Sequence, residues 1–321
     1  MPMSVIMPYP MTDHVIARIE AKLPLVRLWE AEGQTATIRE VSAQIRGMAA
    51  APHSTIDAAL MDQFPNLEII ASLGVGYDTV DTRHAADRHI VVTHTPGVLN
   101  EDVADLAIGL MLSTILQIHD ASRRFRAQIT SKIVAEPLMT LRGRTLGILG
   151  LRRTGKAIAR RCEAFGLKIC YYGRTMRESA FCRYFSSVHA LAEASDILMV
   201  VAPGLAATKG LVNASVLEAL GSEGVLINVG RGSVVDEKAL IEALRRGVIR
   251  SAGLDIYPNE PNVPPALIAL DHVVLLPHIG LATQSTRRAM HDLVVDNLLS
   301  WAAGNGALTS IPETSWASKL R

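Results

Sequence analysis

Residues 141–175, LRGRTLGILGLRRTGKAIARRCEAFGLKICYYGRT, constrain the fold of this chain more than any other stretch. Residues 145–149 form a short apolar run that stops at Gly150, and residues 156–164 carry apolar side chains at helical spacing until Gly166 closes the helix. Residues 169–172 supply a second apolar run. The order is strand, tight glycine turn, helix, strand. A helix that begins at such a turn directs unpaired backbone N–H groups and its positive dipole end at one spot, which suits a pyrophosphate. Gly150, Leu151, Arg152, Arg153, Thr154 and Gly155 follow the spacing GxGxxG with one departure. Arg152 stands where a middle glycine would let the backbone approach the pyrophosphate.

The same alternation runs through the rest of the chain. Before the turn, residues 4–7, 25–28, 45–49, 67–72 and 91–93 read as strands, and 12–23, 55–64 and 81–89 have helical spacing with starts at Thr or Asp. Thr95, Pro96 and Gly97 break the pattern, and a long helix from about Asn100 past Ile118 carries the chain away from this first sheet. From Thr145 strands recur at 145–149, 168–172, 197–201, 224–228, 251–254 and 273–276, and a last helix covers about 283–301. Alternation of this kind predicts an α/β fold of two Rossmann-like, doubly wound parallel-sheet domains. The tail is expected to return to the first sheet. Residues 1–98 and 284–321 then form a discontinuous, flavodoxin-like substrate-binding domain, and residues 99–283 a Rossmann domain for NAD(P). Ligands are expected in the cleft between them, at the C-terminal ends of the strands.

Composition narrows the function classes. A formal charge of +1 and 4% aromatic residues argue against nucleic acid, which calls for a basic surface and often for stacking side chains. Cys162, Cys170 and Cys182 are too few and too irregularly spaced for a zinc site, and an odd count speaks against a disulfide framework, so no metal is expected and the thiols read as reduced. The N-terminal MPMSVIMPYP lacks the pattern of a signal peptide, and the longest apolar run, residues 106–118, falls short of the roughly 20 residues that cross a bilayer. No membrane partner is expected, and the reading places the chain in the cytoplasm.

Three polar residues follow strands of the second sheet: Arg231, Glu260 and His278. Arg231 lies between Gly230 and Gly232, which would let the backbone turn sharply and the guanidinium fork reach a carboxylate. Glu260 precedes Pro261, and His278 follows Pro277 and could shuttle a proton near neutrality. Taken singly, each reads equally well as a loop charge, a solvated acid or a turn histidine. His14, His84, His89 and His291 fall on helix-like stretches and read as satisfied surface groups. Residues 72–78, SLGVGYD, could hold an anion on free backbone N–H groups, although an ordinary strand-to-helix turn is the better reading of spacing alone.

Taken together, the motifs resemble the D-isomer-specific 2-hydroxyacid dehydrogenases over nearly the whole chain, and within them look most like the bacterial glyoxylate/hydroxypyruvate reductases. The resemblance is carried by SLGVGYDTVD at 72–81, THTPGVLNEDVAD at 93–105, the glycine turn, INVGRGSVVDEKALIEAL at 227–244, AGLDIYPNEP at 252–261 and LPHIGLAT at 276–283. It implies that Arg231 binds the substrate carboxylate and polarises the keto group, that His278 protonates the carbonyl oxygen as hydride arrives, and that Glu260 pairs with His278. Backbone groups at Leu73, Val75 and Gly76 would also hold the carboxylate. The cofactor would lie on Gly150, Leu151, Arg152, Arg153, Thr154 and Gly155, on Gly173, Arg174 and Thr175, on Ala202, Pro203 and Thr208, and on Val229, Gly230, Asp255, His278 and Gly280. Asp255 would contact the nicotinamide carboxamide. The family also implies a homodimer.

An NAD enzyme would carry Asp or Glu near position 173 for the ribose 2′-hydroxyl, whereas here the residues are Gly173, Arg174 and Thr175. NADP(H) is therefore expected in preference to NAD(H), with Arg174 on the 2′-phosphate. Other departures are Gln128 and Thr130, where the family often has Gly and Trp, and Leu281, where serine is usual. Two further readings share the fold: phosphoglycerate dehydrogenase, and a cofactor-sensing protein of low turnover like the corepressors that resemble this family.

Overall fold

The structure, a computed structural model, describes residues 3–52, 54–127, 138–176, 182–281 and 283–319. The chain divides into two units, Met1–Val98 with Thr283–Arg321, and Leu99–Ala282.

In the first unit five strands, β1 (Ser4–Met7), β2 (Leu25–Arg27), β3 (Ile45–Ala50), β4 (Ile69–Ser72) and β5 (Val91–Thr93), lie in the order β2-β1-β3-β4-β5. Every neighbouring pair is parallel. Ile6, Ile45, Met48 and Ile70 are wholly buried, as expected for strands covered by helices on both faces. The helix Gln284–Ala302 packs on β3 and β4. The tail then returns to β5, where Ile311 N–H donates to Val92 O at 2.9 Å.

The second unit holds seven strands: β6 (Thr145–Leu149), β7 (Lys168–Tyr172), β8 (Cys182–Phe185), β9 (Ile197–Val200), β10 (Val225–Asn228), β11 (Ser251–Leu254) and β12 (Val274–Leu275). Their order is β12-β11-β10-β9-β6-β7-β8, again all parallel. The chain winds outward from β6 in one direction and from β9 in the other. The two central strands therefore part into loops on opposite sides, and the crevice at their C-terminal ends is where doubly wound sheets bind ligands. Gly150 sits at that point.

These two sheets bear out the α/β expectation, and several local boundaries differ from it. The helix after the glycine turn starts at Arg153, earlier than residue 156, because Arg153, Thr154 and Gly155 form its first turn. Apolar spacing could not mark a turn made of polar residues and glycine. The helix expected at 55–64 contracts to Ala58–Met61, capped by the Asp57 carboxylate, which accepts from Leu60 N–H at 2.8 Å. β8 has no counterpart in the sequence reading. It is a half-exposed edge strand with one neighbour, on which Arg183 lies 4.9 Å from the ring centre of Phe185.

The long helix from Asn100 is broken. Asn100–Ile115 and Ile118–Arg126 meet at 62°, with Gln117 in the left-handed region at φ 47°. The first segment buries Val103, Ala107, Leu110 and Met111, whereas the second buries none of its residues and leaves Phe125 67% exposed. The direction changes where the apolar run ends; beyond it Asp120 pairs with both Arg123 and Arg124. Among the described residues no single helix is long and apolar enough to cross a membrane.

Candidate active site

The glycine turn has the geometry of a phosphate cradle. Gly150 has φ +110°, and a Cβ there would lie 3.2 Å from Ala202 N, so the ends of β6 and β9 approach too closely for a side chain. A Cβ on Gly155 would lie 2.2 Å from Gly150 O, which brings the helix Arg153–Glu163 directly onto the turn. Its first N–H groups lack intrahelical partners, as at any helix start. Arg152 is extended at φ −94° and ψ −151°, a conformation open to any residue, and its side chain is exposed. The backbone here therefore does not demand glycine. Leu151 is buried, and Thr154 Oγ1 donates to Asn100 Oδ1 at 3.1 Å, which ties the turn to the helix Asn100–Ile115. Arg161 adds bonds to Asp105 and Glu101 on that same helix. Such a turn, with its helix held from behind, fits a dinucleotide pyrophosphate.

At the end of β7, Gly173, Arg174 and Thr175 follow Tyr172, whose carbonyl accepts from Gly150 N–H at 3.0 Å. Arg174 is exposed and forms no ion pair among the described residues. After β9, Ala202 is buried beside Gly150, and Pro203 opens a loop closed by Thr208. The Thr208 hydroxyl donates to Pro203 O at 2.6 Å and accepts from Leu205 N–H at 2.8 Å. Its single hydrogen is thereby engaged in shaping the loop.

After β10, Val229 N–H donates to Val200 O, which extends the ladder towards Arg231. The flanking glycines serve close approach and not a sharp turn, contrary to the sequence reading. Arg231 is extended at φ −142° and ψ 140°. A Cβ on Gly230 would lie 2.9 Å from Ala202 O, and one on Gly232 would lie 2.0 Å from the carbonyl carbon of Tyr257. Asn228, buried at the strand end, braces this segment by accepting from Gly230 N–H at 3.0 Å and donating to Arg231 O at 3.2 Å. Sequence reasoning missed Asn228. A polar residue closing a buried apolar strand was the available signal, since buried polar groups need partners.

Glu260 and His278 are brought together. His278 Nδ1 lies 2.7 Å from Glu260 Oε2, and Glu260 Oε1 accepts from Tyr257 N–H at 2.9 Å. A carboxylate only accepts, so Nδ1 carries the hydrogen and Nε2 is left to take or give a proton. His278 itself is left-handed at φ 53°. That conformation is held by Asp255, whose carbonyl accepts from His278 N–H at 2.9 Å. The Asp255 carboxylate accepts from Ile279 N–H at 2.8 Å and Gly280 N–H at 3.1 Å. Burial pushes the Asp255 carboxyl up from its ordinary range, and these two N–H groups oppose the shift. The Arg231 guanidinium donates to Gly230 O at 2.8 Å, and the main chain of Tyr257 lies against the neighbouring Gly232.

In the first unit, Leu73 N–H donates to Ala50 O and Gly74 N–H to Thr95 Oγ1 at 3.1 Å. Val75 O is taken by His94 Nδ1 at 2.9 Å. The N–H groups of Val75 and Gly76 have no hydrogen-bond partner among the described residues. The turn is thus held by Thr95, which the spacing marked only as part of a break, and by His94, which it did not single out. Leu281 follows Gly280 and is partly buried. Gln128 and Thr130 lie outside the described residues. Among the described residues no cluster of His, Cys, Asp or Glu could hold a metal ion.

Sheet order and glycine turn give the second unit the form of a dinucleotide-binding domain. A family model described as D-isomer specific 2-hydroxyacid dehydrogenase, NAD binding domain, matches residues 108–280. The chain belongs to this family. It is 40% identical over 307 residues to a glyoxylate/hydroxypyruvate reductase of Arabidopsis thaliana, covering 96% of this chain and 98% of the relative. It is 39% identical over 307 residues, with the same coverage, to a hydroxyphenylpyruvate reductase of Plectranthus scutellarioides. Among solved structures, an NADPH-dependent glyoxylate/hydroxypyruvate reductase of Sinorhizobium meliloti, in complex with NADP and malonate, superposes with a TM-score of 0.89 at 45% identity, covering 98% of each chain.

Proposed function

We propose that this dehydrogenase reduces a small 2-ketoacid, glyoxylate or hydroxypyruvate, to the corresponding 2-hydroxyacid, and that it uses NADP(H) in preference to NAD(H). The observation that carries the reading is the 2.7 Å bond between His278 Nδ1 and Glu260 Oε2. The reduced nicotinamide, when bound, supplies the hydride. His278 Nε2 gives its proton to the carbonyl oxygen, and the Glu260 carboxylate steadies the imidazolium before the transfer. Arg231 receives the substrate carboxylate and polarises the keto group. The Val75 and Gly76 N–H groups form an anion nest for a carboxylate.

The second unit is the cofactor domain in this reading, and the first serves the substrate. Gly150 to Gly155, Ala202, Pro203, Val229, Gly230 and Gly280 would hold the cofactor, with Asp255 on the carboxamide and Arg174 on the 2′-phosphate. The Thr208 hydroxyl, already committed within its loop, could accept one bond more but not donate one. Named relatives that reduce glyoxylate and hydroxypyruvate, and an NADPH-dependent neighbour that binds NADP, support the substrate and cofactor choices. A homodimer is part of the proposal, and sedimentation equilibrium tests it. Steady-state NADPH oxidation against a panel of 2-ketoacids tests the activity. The fastest kcat/KM is expected with glyoxylate or hydroxypyruvate, and absence of turnover with every ketoacid would favour the cofactor-sensing reading.

A further inference from the structure

Tyr257 lies just beyond β11 with its ring buried, and neither its spacing nor the proposed chemistry gives it a role. Its hydroxyl lies 3.0 Å from Leu276 O and 3.2 Å from Leu254 O. One phenolic hydrogen is therefore shared between the carbonyl that ends β11 and the carbonyl that follows β12. Leu276 is two residues before His278. The main chain of Tyr257 makes the other contacts already described, its N–H to Glu260 Oε1 at 2.9 Å and its carbonyl carbon against Gly232, the neighbour of Arg231. A single residue thus touches the support of all three side chains assigned to the reaction.

We infer that Tyr257 is a positioning residue, whose hydroxyl fixes the segment carrying His278 relative to Glu260. The inference rests on the proposal that this pair delivers the proton. β12 is the reason a tether matters. It is a two-residue edge strand, paired with β11 only at Gly253–Val274 and Leu254–Leu275, and so short a ladder leaves the following segment weakly fixed. Main-chain bonds from Leu276 N–H to Leu254 O at 2.8 Å and from His278 N–H to Asp255 O at 2.9 Å supply part of the restraint. The Asp255 carboxylate holds the far side through Ile279 and Gly280 N–H, and the phenol adds a tether on the near side of His278, at Leu276. Burial pushes its pKa up to about 12, so it stays a neutral donor throughout the working range. Phenylalanine would keep the ring packing and remove only the tether.

The test is Tyr257→Phe in the full-length protein, assayed for ketoacid reduction beside His278→Ala and Glu260→Gln. Misplacing an acid by a fraction of an ångström slows the chemical step without weakening ground-state binding, so kcat is expected to fall about tenfold while KM for ketoacid and cofactor stays within about twofold. The solvent deuterium isotope effect on kcat is expected to rise, because proton delivery becomes more rate-limiting. A hydroxyl that served stability alone would lower Tm and leave the isotope effect unchanged. A folded Tyr257→Phe protein with parental kcat and isotope effect overturns the inference. Parental turnover in His278→Ala would instead defeat the underlying assignment of the pair. Should the phenylalanine variant fold poorly, 3-fluorotyrosine at 257 keeps ring and hydroxyl while altering donor strength, and an unmoved isotope effect in that protein overturns the inference as well.

Discussion

His278 Nδ1 and Glu260 Oε2 meet at 2.7 Å, with the second oxygen of Glu260 held by the main chain of Tyr257. The carboxylate is bonded through both oxygens, so it orients the imidazole and leaves Nε2 as the nitrogen able to exchange a proton in the proposed reaction. Neither side chain could hold this geometry alone, because each sits in a loop beyond its strand.

Replacement of His278 by Ala is expected to lower kcat for ketoacid reduction by about 10²- to 10⁴-fold, the usual worth of a positioned general acid. Cofactor affinity, read by fluorescence titration with NADPH, should stay close to that of the parent. Glu260→Gln keeps the shape of the pair and removes its charge, and a smaller loss in kcat is expected. Retained turnover in His278→Ala would remove the proton-donor assignment.

The proposed preference for NADP(H) is tested at Arg174. It is exposed and unpaired with any acid among the described residues, so its guanidinium can serve a 2′-phosphate. A hydrogen bond to a charged group contributes about 1.5–3 kcal/mol, so Arg174→Ala should reduce kcat/KM with NADPH by roughly 10- to 100-fold. The value with NADH should barely move. Equal or better use of NADH by the parent would sink the preference.

Two positions of the glycine turn should respond in opposite ways. Arg152→Gly is expected to bind NADPH more tightly, because it removes a side chain from the point of closest approach without altering a conformation that any residue adopts. Weaker binding would mean that the arginine is a phosphate ligand. Gly155→Ala places a Cβ 2.2 Å from Gly150 O, and overpacking of this kind costs about 1–3 kcal/mol. A lower Tm is expected together with weaker cofactor binding, and a melt indistinguishable from the parent would contradict the close approach.

Asp292 gives a stability prediction with a pH sign. Its Oδ1 accepts from His14 Nε2 at 2.6 Å and from Arg18 Nη1 at 2.7 Å, across the helices Asp13–Glu20 and Gln284–Ala302. The bond to His14 is the main reason the carboxyl lies below its usual range; burial opposes it, and the bond and charge of Arg18 add to the lowering. A lowered carboxyl contributes stability above the unfolded value of about pH 4 and loses it as pH falls through the folded value. The pair is partly exposed, so Asp292→Asn should cost no more than about 1 kcal/mol at pH 7. Urea unfolding at neutral and acid pH checks this: the difference between variant and parent should close on acidification, and a constant difference would exclude the ionic origin.

What the sequence determined by itself was the architecture. Short apolar runs alternating with helical spacing are the pattern of parallel strands covered on both faces, and both sheets follow it. Glu260 and His278 also stood out, since strand ends of such sheets carry chemistry. Tertiary structure decided the rest. The apolar run at 106–118 did not show that the helix breaks at Gln117, because the break depends on where the sheet stops covering it. The edge strand β8 was invisible because it is half-exposed and lacks an apolar pattern. Thr154 is tied to Asn100, 54 residues away, and Tyr257 to Leu276, 19 residues away. Periodicity records which face of an element is buried. It does not record which distant carbonyl a hydroxyl will find, and in this protein those long-range hydrogen bonds set the positions of the turn and of the acid–imidazole pair.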